Sequence, residues 1–315
     1  MRRPLLKILL VVLAGIGLST GLAAGLSVNL VYLKLLKGES IPESWLEIAR
    51  FLHPSSSRFY LAAAQEQINQ GKDQEALQIM LEGTENANFD PQLHFLLGNL
   101  YAEMGSEPEA VEHWEKAGAW RYFQTLAAAS EAESDIAGAL DNYLISLSIN
   151  ASQPEVWAQA GRLYEKLGAG EQAAHAWGQA AIYYPAGSIE RLWAEGENQR
   201  LSGRWADAVQ TYRNGLALDP ADTRFHIHLA YTYYYGYQDL PHALDEVERA
   251  ISIWPDHFWY YIEMGNFLHF EGRYPEAETW FQQAVDHGEQ GACEAMEYIL
   301  DYYKQVRHGC AAYLK

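Results

Sequence analysis

Apolar residues along most of this chain recur with a helical period. Between Pro154 and Gly187 they fall at Trp157, Ala160, Gly161 and Tyr164, one face of a helix. Leu167-Gly168-Ala169-Gly170 then reads as a turn in which glycine supplies the left-handed backbone that ends a helix. Ala173, Trp177 and Ala180 continue the period in a second helix, and Pro185 stops it. The small residues Gly161, Ala173 and Ala180 allow helix backbones to approach, and the large rings fill the remaining space. No stretch shows the strict alternation of a half-buried strand.

The same pattern returns along the chain. Residues 57–90 carry Tyr60, Ala64, Gly71 and Ala76. Residues 91–119 carry Leu97-Gly98, Tyr101, Gly105, Ala110, Trp114 and Ala117, and 120–153 are anchored by Ala139 and Tyr143. After 154–188 follow 189–222 (Gly196, Gly203, Trp205, Ala208, Tyr212, Pro220) and 223–257 (Leu229-Ala230, Tyr233, Ala243, Ala250, Pro255). The latter has one added residue, expected in the turn near Gln238. Residues 258–291 close the series with Tyr261, Met264-Gly265, Gly272, Tyr274, Ala277, Phe281 and Ala284. Glu43 to Leu52 reads as a half-repeat ending before Pro54, within a juxtamembrane segment 34–56. Residues 292–308 read as a capping helix inside a C-terminal segment 292–315.

Trp157, Ala160-Gly161, Tyr164, Ala173, Trp177, Ala180 and Pro185, spaced over 34 residues, resemble the tetratricopeptide repeat, or TPR. The resemblance implies an all-α, right-handed α-solenoid of about seven helix pairs with capping helices, in which each pair buries its apolar face on the next. It also implies that positions 2, 5, 9, 12 and 13 of each repeat line a concave groove that takes a protein or peptide segment.

Residues 8–33 contain no charged side chain over 26 positions, and about 20 suffice to cross a bilayer. A transmembrane anchor is expected there, with residues 1–7 cytoplasmic. Arg2, Arg3 and Lys7 precede the run and Lys34 and Lys37 follow it, which favours an extracytoplasmic body. Gly17, Gly21 and Gly25 form a small-residue stripe suited to helix packing in lipid.

Charge sharpens the picture. The 315 residues carry a net −19; the first 40 hold five basic residues and one acidic, so the rest stands at −23. Nucleic acid is excluded as a partner on this ground, since phosphate binding needs a basic patch. The two cysteines, Cys293 and Cys310, flank the expected last helix. Roughly 25 Å of helix would separate them, so both are expected as thiols.

No catalytic or cofactor motif is present: no HExxH, P-loop, GxSxG or GxGxxG after a strand. No enzymatic activity and no cofactor are expected. Candidate chemistry lies on the groove. Arg121, Arg162, Lys166, Arg200 and Arg224 map to it and either grip a carboxylate or pair with Glu165 and Glu197, which share that face. Asn99 and Asn266 match the family's Gly-Asn pair, but of the matching lysine positions only Lys166 fits and the others hold Ala132, Leu201, Tyr235 and Phe270, which argues against a chaperone-tail clamp. Trp193, Tyr231, Tyr234, Tyr235, Trp259 and Phe270 map to the same face and are expected to form one patch. The reading is a membrane-anchored scaffold for a protein segment, supporting assembly of a membrane or envelope complex. The alternatives are a sugar- or polymer-binding accessory of a glycan enzyme and a permanent structural subunit.

Overall fold

A computed structural model describes residues 55–311 and residue 313. The expected anchor at 8–33, its glycine stripe Gly17, Gly21 and Gly25, and the half-repeat at 43–52 lie outside the described residues. Within them no helix is long and apolar enough to cross a membrane.

The described chain is a helical repeat without strands, in two compact units divided between Ala151 and Ser152. The first unit holds three helix pairs: α1 (Ser57–Asn69) with α2 (Asp73–Asn86), α3 (Pro91–Glu103) with α4 (Glu107–Ala117), and α5 (Trp120–Ala132) with α6 (Ile136–Ile149). The second holds four: α7 (Pro154–Lys166) with α8 (Gly170–Tyr183), α9 (Ile189–Leu201) with α10 (Trp205–Leu218), α11 (Thr223–Tyr231) with α12 (Leu240–Ile253), and α13 (Phe258–Phe270) with α14 (Tyr274–Ala295). A short α15 (Lys304–Cys310) follows.

Two local rules repeat through both units. The first concerns the turn inside each pair. Gly71, Gly105, Gly168, Gly203 and Gly272 all have φ between +70° and +77°, and Ser134 and Gln238 take the same left-handed conformation in the remaining two turns. The bend needs that conformation, and glycine adopts it without steric penalty. The second concerns packing. A ring on the second helix lies against a glycine of the first helix, sixteen positions earlier: Trp114 on Gly98, Trp177 on Gly161, Tyr212 on Gly196 and Phe281 on Gly265. A Cβ at Gly196 would stand 2.1 Å from the Tyr212 ring, so only glycine admits it. Trp177, Tyr212 and Phe281 are at most 2% exposed. Asp90, Asp135, Ser188, Asp222 and Asp239 cap the helices that follow them, each accepting from a backbone N–H of the first turn.

Three expectations are corrected. The added residue of 223–257 is not in the turn. It is absorbed in the first helix, where Thr232–Gly236 forms a single π-helical turn directly after α11. No separate helix spans 292–308; α14 runs on to Ala295, because Gly288 serves packing rather than termination. Its Cα faces the Phe258 ring, which a Cβ would meet at 2.5 Å. Finally, Cys293 and Cys310 are not thiols but a disulfide with Cα atoms 5.4 Å apart. The helix that would have separated them ends at Ala295, and the chain turns back through a 3-10 segment, Leu300–Tyr302, before α15. Both sulfurs are buried in the core of the last repeat with Phe281, Met296 and Tyr303.

Candidate functional site

The core rings of the second helices do more than fill space. Four of them, Trp114, Tyr143, Trp177 and Tyr212, reach through to a polar group on the partner first helix. In the first unit Trp114 Nε1 donates to Asn99 Oδ1 at 2.9 Å, and Tyr143 OH donates to Glu131 Oε1 at 2.7 Å. In the second unit Trp177 Nε1 donates to Glu165 Oε1 at 2.9 Å, and Tyr212 OH donates to Glu197 Oε1 at 2.5 Å. Carboxylates on the first-helix face are thus anchored from behind by the core.

In the second unit that face is continuous from α7 to α13. Glu197 on α9 is fully buried and is its electrostatic centre. Arg200 donates to it from Nη2 at 2.6 Å and from Nε at 3.2 Å, and from Nη2 to Glu165 on α7 at 2.6 Å. His228 Nδ1 on α11 lies 2.5 Å from Glu197 Oε1. Burial alone would raise the Glu197 pKa, but His228 and Arg200 outweigh it and hold the carboxyl at about 2. Burial and the adjacent Glu197 push the Tyr212 hydroxyl far up. Trp193 packs edge-on to His228, ring centroids 4.4 Å apart, and to Phe225 at 5.6 Å. Arg224 lies over the Trp193 ring at 5.2 Å and pairs with Asp222 at 2.6 Å.

The π turn sets the next part of the face. It carries Tyr234 and Tyr235 towards Phe267 of α13, with ring centroids 4.8 and 6.5 Å away, and Tyr231 approaches the same ring at 6.0 Å. Gly236 at the end of the turn packs flat on Trp205, where a Cβ would come within 2.6 Å of the indole. Burial raises the Tyr231 hydroxyl far above its usual range, helped by Glu263, to which it is hydrogen-bonded. Partial burial and a hydrogen bond to Glu271 raise the Tyr234 hydroxyl to about 12. Glu263 on α13, in turn, is raised by burial. Asn266 bonds Glu263 and accepts from Tyr298 OH at 2.7 Å.

The candidate residues therefore divide. Trp193, Arg200, Arg224, Tyr231, Tyr234, Tyr235 and Asn266 come together on this face. Arg200 is fully engaged by Glu165 and Glu197 and is 15% exposed, so it holds the face together rather than offering a grip. Arg162 and Lys166, a turn apart on α7, are exposed and make no hydrogen bond or ion pair among the described residues. Trp259 and Phe270 do not join the patch. They sit at opposite ends of α13, about 16 Å apart along the axis, where Trp259 stacks on Phe258 and Phe270 meets His269 edge-on. Arg121 belongs to the first unit, where it lies over Trp120 at 4.7 Å. Sequence reasoning missed Glu263 and Tyr298. Glu263 occupies a repeat position outside the expected groove set, and Tyr298 follows the last repeat.

Among the described residues no three His, Cys, Asp or Glu side chains are placed to share a metal. His226 Nδ1 bonds Glu246 Oε2 at 2.7 Å beside an open cleft of about 450 Å³ lined by Leu216, Pro220, Arg249, Ser252 and Ile253. The Ser252 hydroxyl there donates to the Glu248 carbonyl, so no nucleophile is activated by the imidazole.

A family model described as tetratricopeptide repeat matches residues 259–283, the α13–α14 pair. Among solved structures, a tetratricopeptide repeat protein from Parabacteroides merdae is 16% identical, with 76% of this chain and 97% of that one covered and a TM-score of 0.47. A thermophilic tetratricopeptide repeat protein of Thermus thermophilus is 15% identical, with 61% and 98% covered and a TM-score of 0.48. YrrB, described as a tetratricopeptide repeat protein with an unusual peptide-binding site, is 16% identical, with 68% and 95% covered and a TM-score of 0.36. No curated protein matches the chain.

Proposed function

We propose that this chain, whose residues 259–283 match a tetratricopeptide-repeat family model, is a membrane-anchored tetratricopeptide-repeat scaffold whose second unit holds a protein segment on the face of α7, α9, α11 and α13. One observation carries the reading. Tyr235 stays 59% exposed on that face beside Tyr231, Tyr234 and the buried Phe267, and Trp259 and Phe270, at the two ends of α13, stay 46% and 60% exposed. Rigid amphipathic rings left in water beside a buried aromatic cluster are what protein interfaces use as anchors. The exposed cations Arg162 and Lys166 at the α7 end favour a segment that also carries acidic groups.

The site of action is proposed from two further features. The charge-free run 8–33 is long enough for a bilayer span, and the basic residues before it favour a body outside the cytoplasm. The Cys293–Cys310 disulfide supports the same side, because such bonds persist in oxidising compartments. Support for assembly of a membrane or envelope complex is the role that fits.

Photo-crosslinkers placed at Tyr235 and Trp259 of the full-length protein, in native membranes, test the first claim. One discrete protein adduct is expected from both, and none from Gln210, an exposed position on α10. Adducts from Gln210 alone would put the binding surface on the second helices. Recovery of glycan in place of protein would favour the sugar-binding alternative. For the second claim, protease should digest the body from outside the cytoplasmic membrane once any outer envelope is permeabilised; full protection until that membrane is broken would refute it.

A further inference from the structure

Helices α11 and α13 meet around a carboxylate that has no ion-pair partner among the described residues. Glu263 is hydrogen-bonded by the Tyr231 hydroxyl and the Asn266 side chain, both neutral, and no Lys or Arg among the described residues pairs with it. His228 on α11 is the one basic group whose charge reaches it, and that imidazole is already engaged by Glu197 at 2.5 Å. The Tyr298 hydroxyl donates to Asn266 Oδ1, which turns the amide N–H groups towards Glu263. Tyr235 lies beside Tyr231 with ring centroids 6.2 Å apart, and both Tyr235 and Tyr298 lie within range of the Glu263 charge. Phe267, 1% exposed, lies under Tyr231 and Tyr235. Tyr235 and Tyr298 stay 59% and 63% exposed, so the arrangement opens to solvent.

A half-buried carboxylate without a cation of its own is poorly compensated. An ammonium or guanidinium group entering between the rings would supply the missing charge, and tyrosine faces attract the same group. An anionic ligand would be repelled, and a neutral sugar would leave the carboxylate uncompensated. The acidic body, at −23 beyond the first 40 residues, attracts cationic segments.

We infer that Glu263, with Tyr231, Tyr235 and Tyr298, is the receptor for one lysine or arginine side chain of the bound segment. The inference rests on the groove reading above and adds the chemistry that selects the segment. Burial raises the Glu263 pKa; a bound cation favours the ionised form, so affinity falls as pH drops through the carboxyl's titration.

The test uses the full-length protein in detergent, probed against an immobilised random-peptide array, followed by solution affinities of selected peptides. Bound peptides should share a Lys or Arg. Replacing it with norleucine, which keeps the stem and removes the charge, should weaken binding about 10- to 100-fold, the range of a charge-assisted hydrogen bond. Trimethyllysine should keep much of the affinity, because the charge still faces the rings. Glu263→Gln should weaken the lysine peptide to the level of the norleucine peptide and remove the pH dependence. Glu248→Gln, an exposed carboxylate on α12, should change neither. Tyr235→Ala and Tyr298→Ala, both at exposed rings, provide a second route: each should weaken the lysine peptide several-fold and leave the norleucine peptide unchanged. Peptides that crosslink to Tyr235 and Trp259 positions yet show no basic preference, or no response to Glu263→Gln, would overturn the inference and leave the groove reading standing. Absence of any peptide bound on this face would overturn both.

Discussion

Arg200→Met removes the cation from the buried Glu197 while keeping the aliphatic stem. Arg200 makes three short contacts, two to Glu197 and one to Glu165, and Glu197 has no solvent exposure. Removing one partner of a buried pair typically costs about 3–5 kcal/mol, because the other charge stays buried. Tyr212 and His228 still contact Glu197, which places this case near the lower end, about 3 kcal/mol. The carboxyl's own titration gives the same scale. A drop from an ordinary 4.5 to about 2 corresponds to roughly 3 kcal/mol at about 1.4 kcal/mol per pH unit. The sign follows from the depressed pKa: this stability is fully present above pH 4.5 and is lost as pH falls towards 2. Hydrogen exchange followed by mass spectrometry reads the effect where it belongs, in α9 and α11, because a helical repeat opens locally. Protection there should fall about 100-fold in Arg200→Met at neutral pH. The double variant Arg200→Met with Glu197→Gln should recover most of it, since no uncompensated charge remains. Urea midpoints measured between pH 5 and 2 should fall steeply in the native protein and much less in Glu197→Gln. A loss of protection below threefold in Arg200→Met, or superimposable acid curves for native protein and Glu197→Gln, would refute the account of Glu197 as the electrostatic centre.

Two further outcomes follow from packing and covalent structure. Gly161→Leu and Ala173→Leu should each destabilise by about 1–3 kcal/mol and make unfolding of the second unit less cooperative, as a Cβ at Gly161 already meets Trp177 Nε1 at 2.9 Å and Ala173 is fully buried; unchanged melting curves for both would remove the assigned register. Cys293→Ser with Cys310→Ser should cost about 3 kcal/mol, the closure entropy of a loop spanning 17 residues. The loss should appear as early exchange in α14 and α15, and native protein under reductant should match the variant. No difference between the oxidised protein and the variant would show that core packing alone holds the C-terminal segment.

Sequence by itself determined the features that depend on residues close together in the chain. A helix pair is specified within about 34 residues, and the glycine that admits a ring sixteen positions later, as Gly196 admits Tyr212, is visible from spacing. The same holds for the left-handed turns at Gly71, Gly105, Gly168, Gly203 and Gly272, and for the placing of Trp193, Tyr231 and Tyr235 on one face. Tertiary structure alone decided which of two plausible partners a polar side chain takes, because that depends on lateral packing of helices far apart in sequence. Arg200 was open to a ligand on paper and is closed by Glu165, 35 positions away. Glu263 gained meaning only when α11 brought Tyr231 against it and the chain beyond the last repeat returned Tyr298 to Asn266. The cysteines show the limit most plainly. Their separation follows from helix rise only while the helix continues. One reversal after Ala295 brings two residues 17 apart in sequence close enough for a covalent bond, with 5.4 Å between their α-carbons. Periodicity reports which face a residue occupies; where a chain turns back, and which neighbour a buried charge meets there, is set by the packing of the whole unit.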